Sequence, residues 1–178
     1  MVSLNPHLPK GKYINEVKRC VEELGFVGIK LHPQAYACDI LSPEADKVFE
    51  IASQLSIPVM IHTGRGIPFA SPATSILRAK QYPKIPIILA HSGFCIVPSD
   101  ALVAGLVCNN IYLETSWCIP PDIIRFIKKL GSERVMFASD SICNIPTELT
   151  KYYSIGLSEN DLENCLGKTA IKIFKLPI

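Results

Sequence analysis

The chain has 178 residues, 48% of them hydrophobic and 19% charged, which suits one domain with a sizeable core and excludes the composition of a disordered chain. Eighteen Lys and Arg against 16 Asp and Glu give a net charge of +2, with no basic block longer than a pair. That leaves no electrostatic footprint for nucleic acid or an anionic membrane, so neither is expected as a partner.

In chain order, Met1 to Pro6 lacks the basic and apolar regions of a signal peptide, and Val2-Ser3-Leu4-Asn5 predicts a first short strand. Ile14, Val17, Val21 and Leu24 then fall on one helical face, with Gly25 placed to cap the helix. The run Val27 to His32 predicts the second strand. Ser42-Pro43 reads as N-cap and first residue of a helix carrying Val48, Phe49, Ala52 and Leu55. Pro58 to His62, Ile87 to His91 and Ile111 to Thr115 predict three more strands. Pro120-Pro121-Asp122 opens a helix through Ile123, Phe126, Ile127 and Leu130 to Gly131, and Val135 to Asp140 predicts the last strand. Ser158 with Asp161 resembles a capping box before Leu162 and Leu166.

Six strands alternating with helices predict an α/β fold on a parallel sheet, either an open doubly wound sheet or a barrel. Both place ligand sites at the carboxyl ends of the strands. No apolar run approaches the roughly 18 residues of a membrane span. The seven Cys are scattered without a C-x-x-C pair, so a disulfide framework and a zinc ribbon are not expected. Most should be small buried hydrophobes in a reducing cytoplasm.

The strand ends carry the chemistry. His32, His62, His91 and Asp140 each finish a strand or stand beside its end, Glu114 lies near the end of another, and His7 follows the first. Residues two apart share a strand face, so Val27, Ile29 and Leu31 form an apolar side while Gly28, Lys30 and His32 share the other. Met136, Ala138 and Asp140 likewise share a face. A single strand-end histidine is ordinarily a hydrogen-bonded structural residue, and a tryptophan such as Trp117 ordinarily packs. Polar groups at equivalent ends of separate parallel strands are a different matter, because such strands otherwise want Val, Ile and Leu throughout. Imidazole nitrogen with carboxylate oxygen suits Zn²⁺, Mn²⁺ or Fe²⁺, and the same groups without metal form an acid and base pair. No serine-hydrolase elbow, phosphate loop, dinucleotide fingerprint or H-E-x-x-H stands in the sequence.

The ordered set Gly25 to Pro33, Ile57 to Gly64, Ile88 to Gly93, Asn110 to Ser116 and Glu133 to Asp140 resembles successive strands of the amidohydrolase-related branch of the amidohydrolase superfamily. The resemblance covers nearly the whole chain. It implies a TIM-barrel (β/α)₈ type of fold, here an incomplete one of about six βα units, and a metal-dependent hydrolase or lyase acting on a small, carboxylate-bearing molecule. It implies His62, His91 and Asp140 as metal ligands, with zinc first and manganese second. Asp140 and His91 become the catalytic pair, and Lys30, His32 and Arg65 the substrate contacts. The family's first strand carries a His-x-His metal pair, and no His-x-His occurs in these 178 residues. Residues 1–178 are therefore expected to be a single domain shortened at its N-terminus, since a closed barrel typically takes about 250 residues. A non-catalytic remnant without metal and a metal-free binding protein are the alternatives. Open sheet edges at the first and last strands predict a homo-oligomer.

Overall fold

The computed structural model describes residues 1–177. Strands β1 (Ile29–Leu31), β2 (Val59–His62), β3 (Ile87–Ala90), β4 (Ile111–Glu114) and β5 (Val135–Met136) form one sheet in the order β1-β2-β3-β4-β5. Every pairing is parallel. An unreversed parallel order is the wall of a barrel; a doubly wound sheet reverses its order at a switch point. Helices α1 (Lys10–Glu22), α2 (Pro43–Leu55), α3 (Ser75–Gln81), α4 (Pro98–Val107) and α5 (Pro120–Leu130) alternate with the strands. After β5 come α6 (Ile145–Ser154), α7 (Glu159–Glu163), a π-helical turn over Asn164–Lys168 and α8 (Thr169–Phe174).

The predicted alternation of side chains sorts the sheet into two faces. Ile29, Leu31, Val59, Ile61, Ile87, Leu89, Ile111, Leu113 and Val135 face the helices and share one core with Tyr13, Val17, Phe49, Ile123 and Phe126. Each large side chain buried there stabilises the fold by about 1.5–3 kcal/mol. The other face carries Lys30, Met60, Ile88 and Tyr112 in register. Its lower part is closed from an unexpected quarter. Ile173, Ala170 and Phe174 of α8 pack on Ile88, Met136, Met60 and Tyr112, and Lys175 Nζ donates to the Ser56 carbonyl at 3.0 Å, just ahead of β2. The C-terminal helix thus covers the inner face toward the amino ends of the strands and leaves the carboxyl ends open.

Several elements depart from expectation. The first predicted strand reduces to one parallel bridge, Val2 to Ile29, with Val2 N–H on the Gly28 carbonyl and Lys30 N–H on the Val2 carbonyl. Pro6 lies four residues on, and a residue without an N–H does not extend a ladder. The last predicted strand pairs only over Val135–Met136; Phe137 N–H turns instead to the Cys165 carbonyl, so the π-helical turn partly covers that edge. In α1 the buried residues are Tyr13, Val17 and Cys20, while Leu24 lies past the helix and is exposed. Ser158 accepts the Asp161 N–H as predicted, but the Asp161 carboxylate takes the Ser158 and Ser132 hydroxyls, so the box is not reciprocal. All seven Cys are free thiols, five of them buried and Cys95 and Cys143 exposed. No helix among the described residues is long and apolar enough to cross a membrane.

Candidate functional site

Three successive strands deliver one histidine each to the same place. His32 follows β1, His62 ends β2 and His91 follows β3, while Asp140 stands just beyond β5. All four line a cavity of about 310 Å³, together with Lys30 and Arg65. The six site residues that the resemblance implied, Lys30, His32, His62, Arg65, His91 and Asp140, are therefore brought to one cavity. His7 is not: it is exposed, and its Nε2 donates to the Tyr36 carbonyl at 2.9 Å. Gln34 and Phe94 also line the cavity, and nothing in their spacing announced them.

The imidazoles are close and individually anchored. His32 and His62 stack with ring centroids 3.9 Å apart and planes 12° from parallel, and His91 meets His62 edge-on at 5.0 Å. Phe94 leans on His91 at 4.6 Å. His62 Nε2 donates to the Arg65 carbonyl at 2.9 Å, which leaves Nδ1 as its lone-pair nitrogen in the neutral ring. His32 Nδ1 accepts the Ala35 N–H at 3.2 Å, and His91 Nδ1 shares a 2.6 Å hydrogen bond with the Ser116 hydroxyl.

Behind this rim lies a buried brace. Glu114 is 4% exposed; its carboxylate accepts the His91 N–H at 3.0 Å and the Ser116 N–H. It fixes the backbone that carries His91 and does not line the cavity. His91 and Ser92 have φ of +65° and +43°, and Asp140 has φ of +59°, left-handed conformations that non-glycine residues hold only where the surroundings impose them. At Asp140 this turn interrupts simple strand alternation and brings the carboxylate to the cavity. The loops after β2 and β3 are tied by Thr63, whose Oγ1 donates to the Ala90 carbonyl and accepts the Gly93 N–H. Ser116 stands two residues beyond Glu114, and only the fold shows that it meets His91.

Burial sets the charge state. Desolvation pushes His62 down to about 4 and His91 down to about 3, with the Lys30 ammonium adding to the effect at both, and it lowers His32 as well. Desolvation also lowers Lys30, against the pull of Glu114 and Asp140, and raises Glu114. The three imidazoles are thus neutral at pH 7, the form that binds metals. In donor type, two neutral imidazoles and one carboxylate fit a divalent cation. Among the described residues no three His, Cys, Asp or Glu side chains are gathered closely enough to hold a metal ion, so coordination by His62, His91 and Asp140 requires their side chains to close in.

Solved structures share this architecture. The 2,6-dihydroxybenzoate decarboxylase of Rhizobium is 19% identical with a TM-score of 0.77, over 98% of this chain and 70% of that one. An uncharacterised TIM-barrel protein of Bordetella bronchiseptica is 14% identical with a TM-score of 0.83, over 97% and 65%. A dihydroxybenzoic acid decarboxylase of Polaromonas sp. JS666, with bound manganese and the inhibitor 2-nitroresorcinol, is 21% identical with a TM-score of 0.71, over 93% and 66%. The fold is a partial TIM barrel, as expected. The family model described as Amidohydrolase matches residues 6–176, nearly the whole chain, and the chain belongs to that family.

Proposed function

We propose that this chain carries the site of a metal-dependent lyase or hydrolase acting on a small carboxylate, and that decarboxylation of an aromatic acid is its reaction. The observation that carries the reading is the convergence of His62, His91 and Asp140 on one cavity, in a chain of the amidohydrolase family. The similarity to decarboxylases, one of them holding manganese, supports the choice of reaction and supports proposing manganese, beside zinc, as the cofactor.

His62 Nδ1, His91 and Asp140 would hold the cation, which when bound would act as a Lewis acid on a substrate oxygen or a water. Lys30 and Arg65, both lining the cavity, offer positive charge to the substrate carboxylate. Phe94 and His32 line the cavity and bring ring surface to an aromatic body. The Asp140 carboxylate carries the proton exchanged with substrate, and His91, anchored on Ser116, orients the reacting oxygen. A cavity of about 310 Å³ limits the substrate to a small molecule.

The test is metal content per chain on protein purified without chelator, with His62→Ala as control, followed by carbon dioxide release from 2,6-dihydroxybenzoate after loading with Mn²⁺ or Zn²⁺. Near-stoichiometric metal that falls in the variant, together with gas release, is the expected result. No metal in either protein and no release would overturn the reading.

A further inference from the structure

The chain has a single tryptophan, and it is aimed at Asp140. Trp117 Nε1 donates to Asp140 Oδ2 at 2.9 Å. An indole N–H donates only, so it holds one carboxylate oxygen and leaves Oδ1 for the cavity. The contact closes a ring of bonds. Trp117 N–H donates to Glu148 Oε1 at 3.1 Å, and the same oxygen accepts Asn144 Nδ2 at 3.1 Å and Lys151 Nζ at 2.7 Å. Asn144 Nδ2 also donates to the carbonyl of Ser139, the residue before Asp140, at 3.1 Å. Glu148 is 1% exposed, so the ring is built around a buried carboxylate on α6, the helix that follows Asp140 in the chain. Trp117 and Asp140 are both exposed, and both stand in left-handed backbone, φ +67° and +59°, so the buried ring beneath them holds two residues that would otherwise avoid that conformation.

The geometry points to Trp117 as a positioning residue for Asp140, held in turn by Glu148 and Asn144, so that the carboxylate presents one defined oxygen to the cavity. The inference rests on the reading of Asp140 as metal ligand and proton carrier, but its contact is measurable without metal. A single tryptophan gives a single indole ¹H–¹⁵N resonance. In metal-free protein that resonance is expected downfield of a free indole, and Asp140→Ala should move it upfield. In the second arm, Mn²⁺ binding is followed by water-proton relaxation: Trp117→Phe should weaken it by about 10–100-fold, as loss of a ligand's supporting partner does, and Trp117→His, which keeps a ring N–H, should recover part of it. An indole resonance unmoved by Asp140→Ala overturns the inference, and so does wild-type Mn²⁺ affinity in Trp117→Phe. A resonance that moves in a protein that binds no Mn²⁺ upholds the positioning contact and overturns the metal reading of the site.

Discussion

Three imidazoles crowd one small cavity without carrying charge, and this has a cost that pH reveals. In the unfolded chain a histidine titrates near 6.5, whereas His62 in the fold titrates at about 4 and His91 at about 3 because both are desolvated beside Lys30. The unfolded state therefore takes up protons first as pH falls. The stability contributed by neutral histidine is complete above pH 6.5 and is lost as pH drops through the window toward 4. For His62 alone the loss between pH 7.5 and pH 5 is about 2 kcal/mol. Urea denaturation of chelator-treated protein at the two pH values should show this loss in the wild type and a smaller one in His62→Gln. Equal losses in both would contradict it. At this scale the sequence was readable where strand alternation applies: Lys30 and His32 share the inner face as their spacing requires. It was not readable at Ser116 and Glu148, whose roles depend on partners 25 and 31 residues away.

The strand ends are held apart and together by backbone as much as by side chains. Gly64 has φ of +99°, and a Cβ placed there would lie 2.6 Å from the carbonyl carbon of Gly93. The loops bearing His62 and His91 approach that closely only because position 64 has no side chain. Gly64→Ala should therefore destabilise the protein by roughly 2–4 kcal/mol, from left-handed strain and backbone overlap together. Gly11, in the first turn of α1, has open space around it, and Gly11→Ala should stabilise by about 0.4–1 kcal/mol. Thermal melts of the two variants check the contrast; equal effects would refute the close-approach argument. The elements themselves were largely legible, since helix starts at Pro43 and Pro120 and the exit at Gly131 follow from local chemistry. Strand ends were less so, because pairing needs a neighbour: beyond Met136 none of the other strands reaches, and Phe137 N–H finds Cys165 instead.

At the scale of the molecule, alternation of strand and helix indicated a parallel sheet, and the strand order decided for a barrel wall. The position of α8 was not legible, because a helical apolar stripe reads the same whether it packs outside a sheet or across its inner face. That packing bears on assembly. With β5 partly covered by the π-helical turn, the sheet edge left for pairing is the Val2 side, where a single bridge extends the ladder. The loops at the carboxyl ends add a second sticky region: Ile67, Ile96, Trp117 and Ile119 are 43–55% exposed and Ile142 is 87% exposed. Apolar side chains gathered at one end of a chain, unlike ones scattered singly, favour association. The chain is accordingly expected to form a dimer or larger species at micromolar concentration, measured by size-exclusion chromatography with light scattering. Ile142→Glu separates the two surfaces: association that survives it runs through the Val2 edge, and association that it abolishes runs through the apolar loops. A clean monomer for the wild type would mean that neither the single-bridge edge nor the apolar loops suffice to hold two copies together.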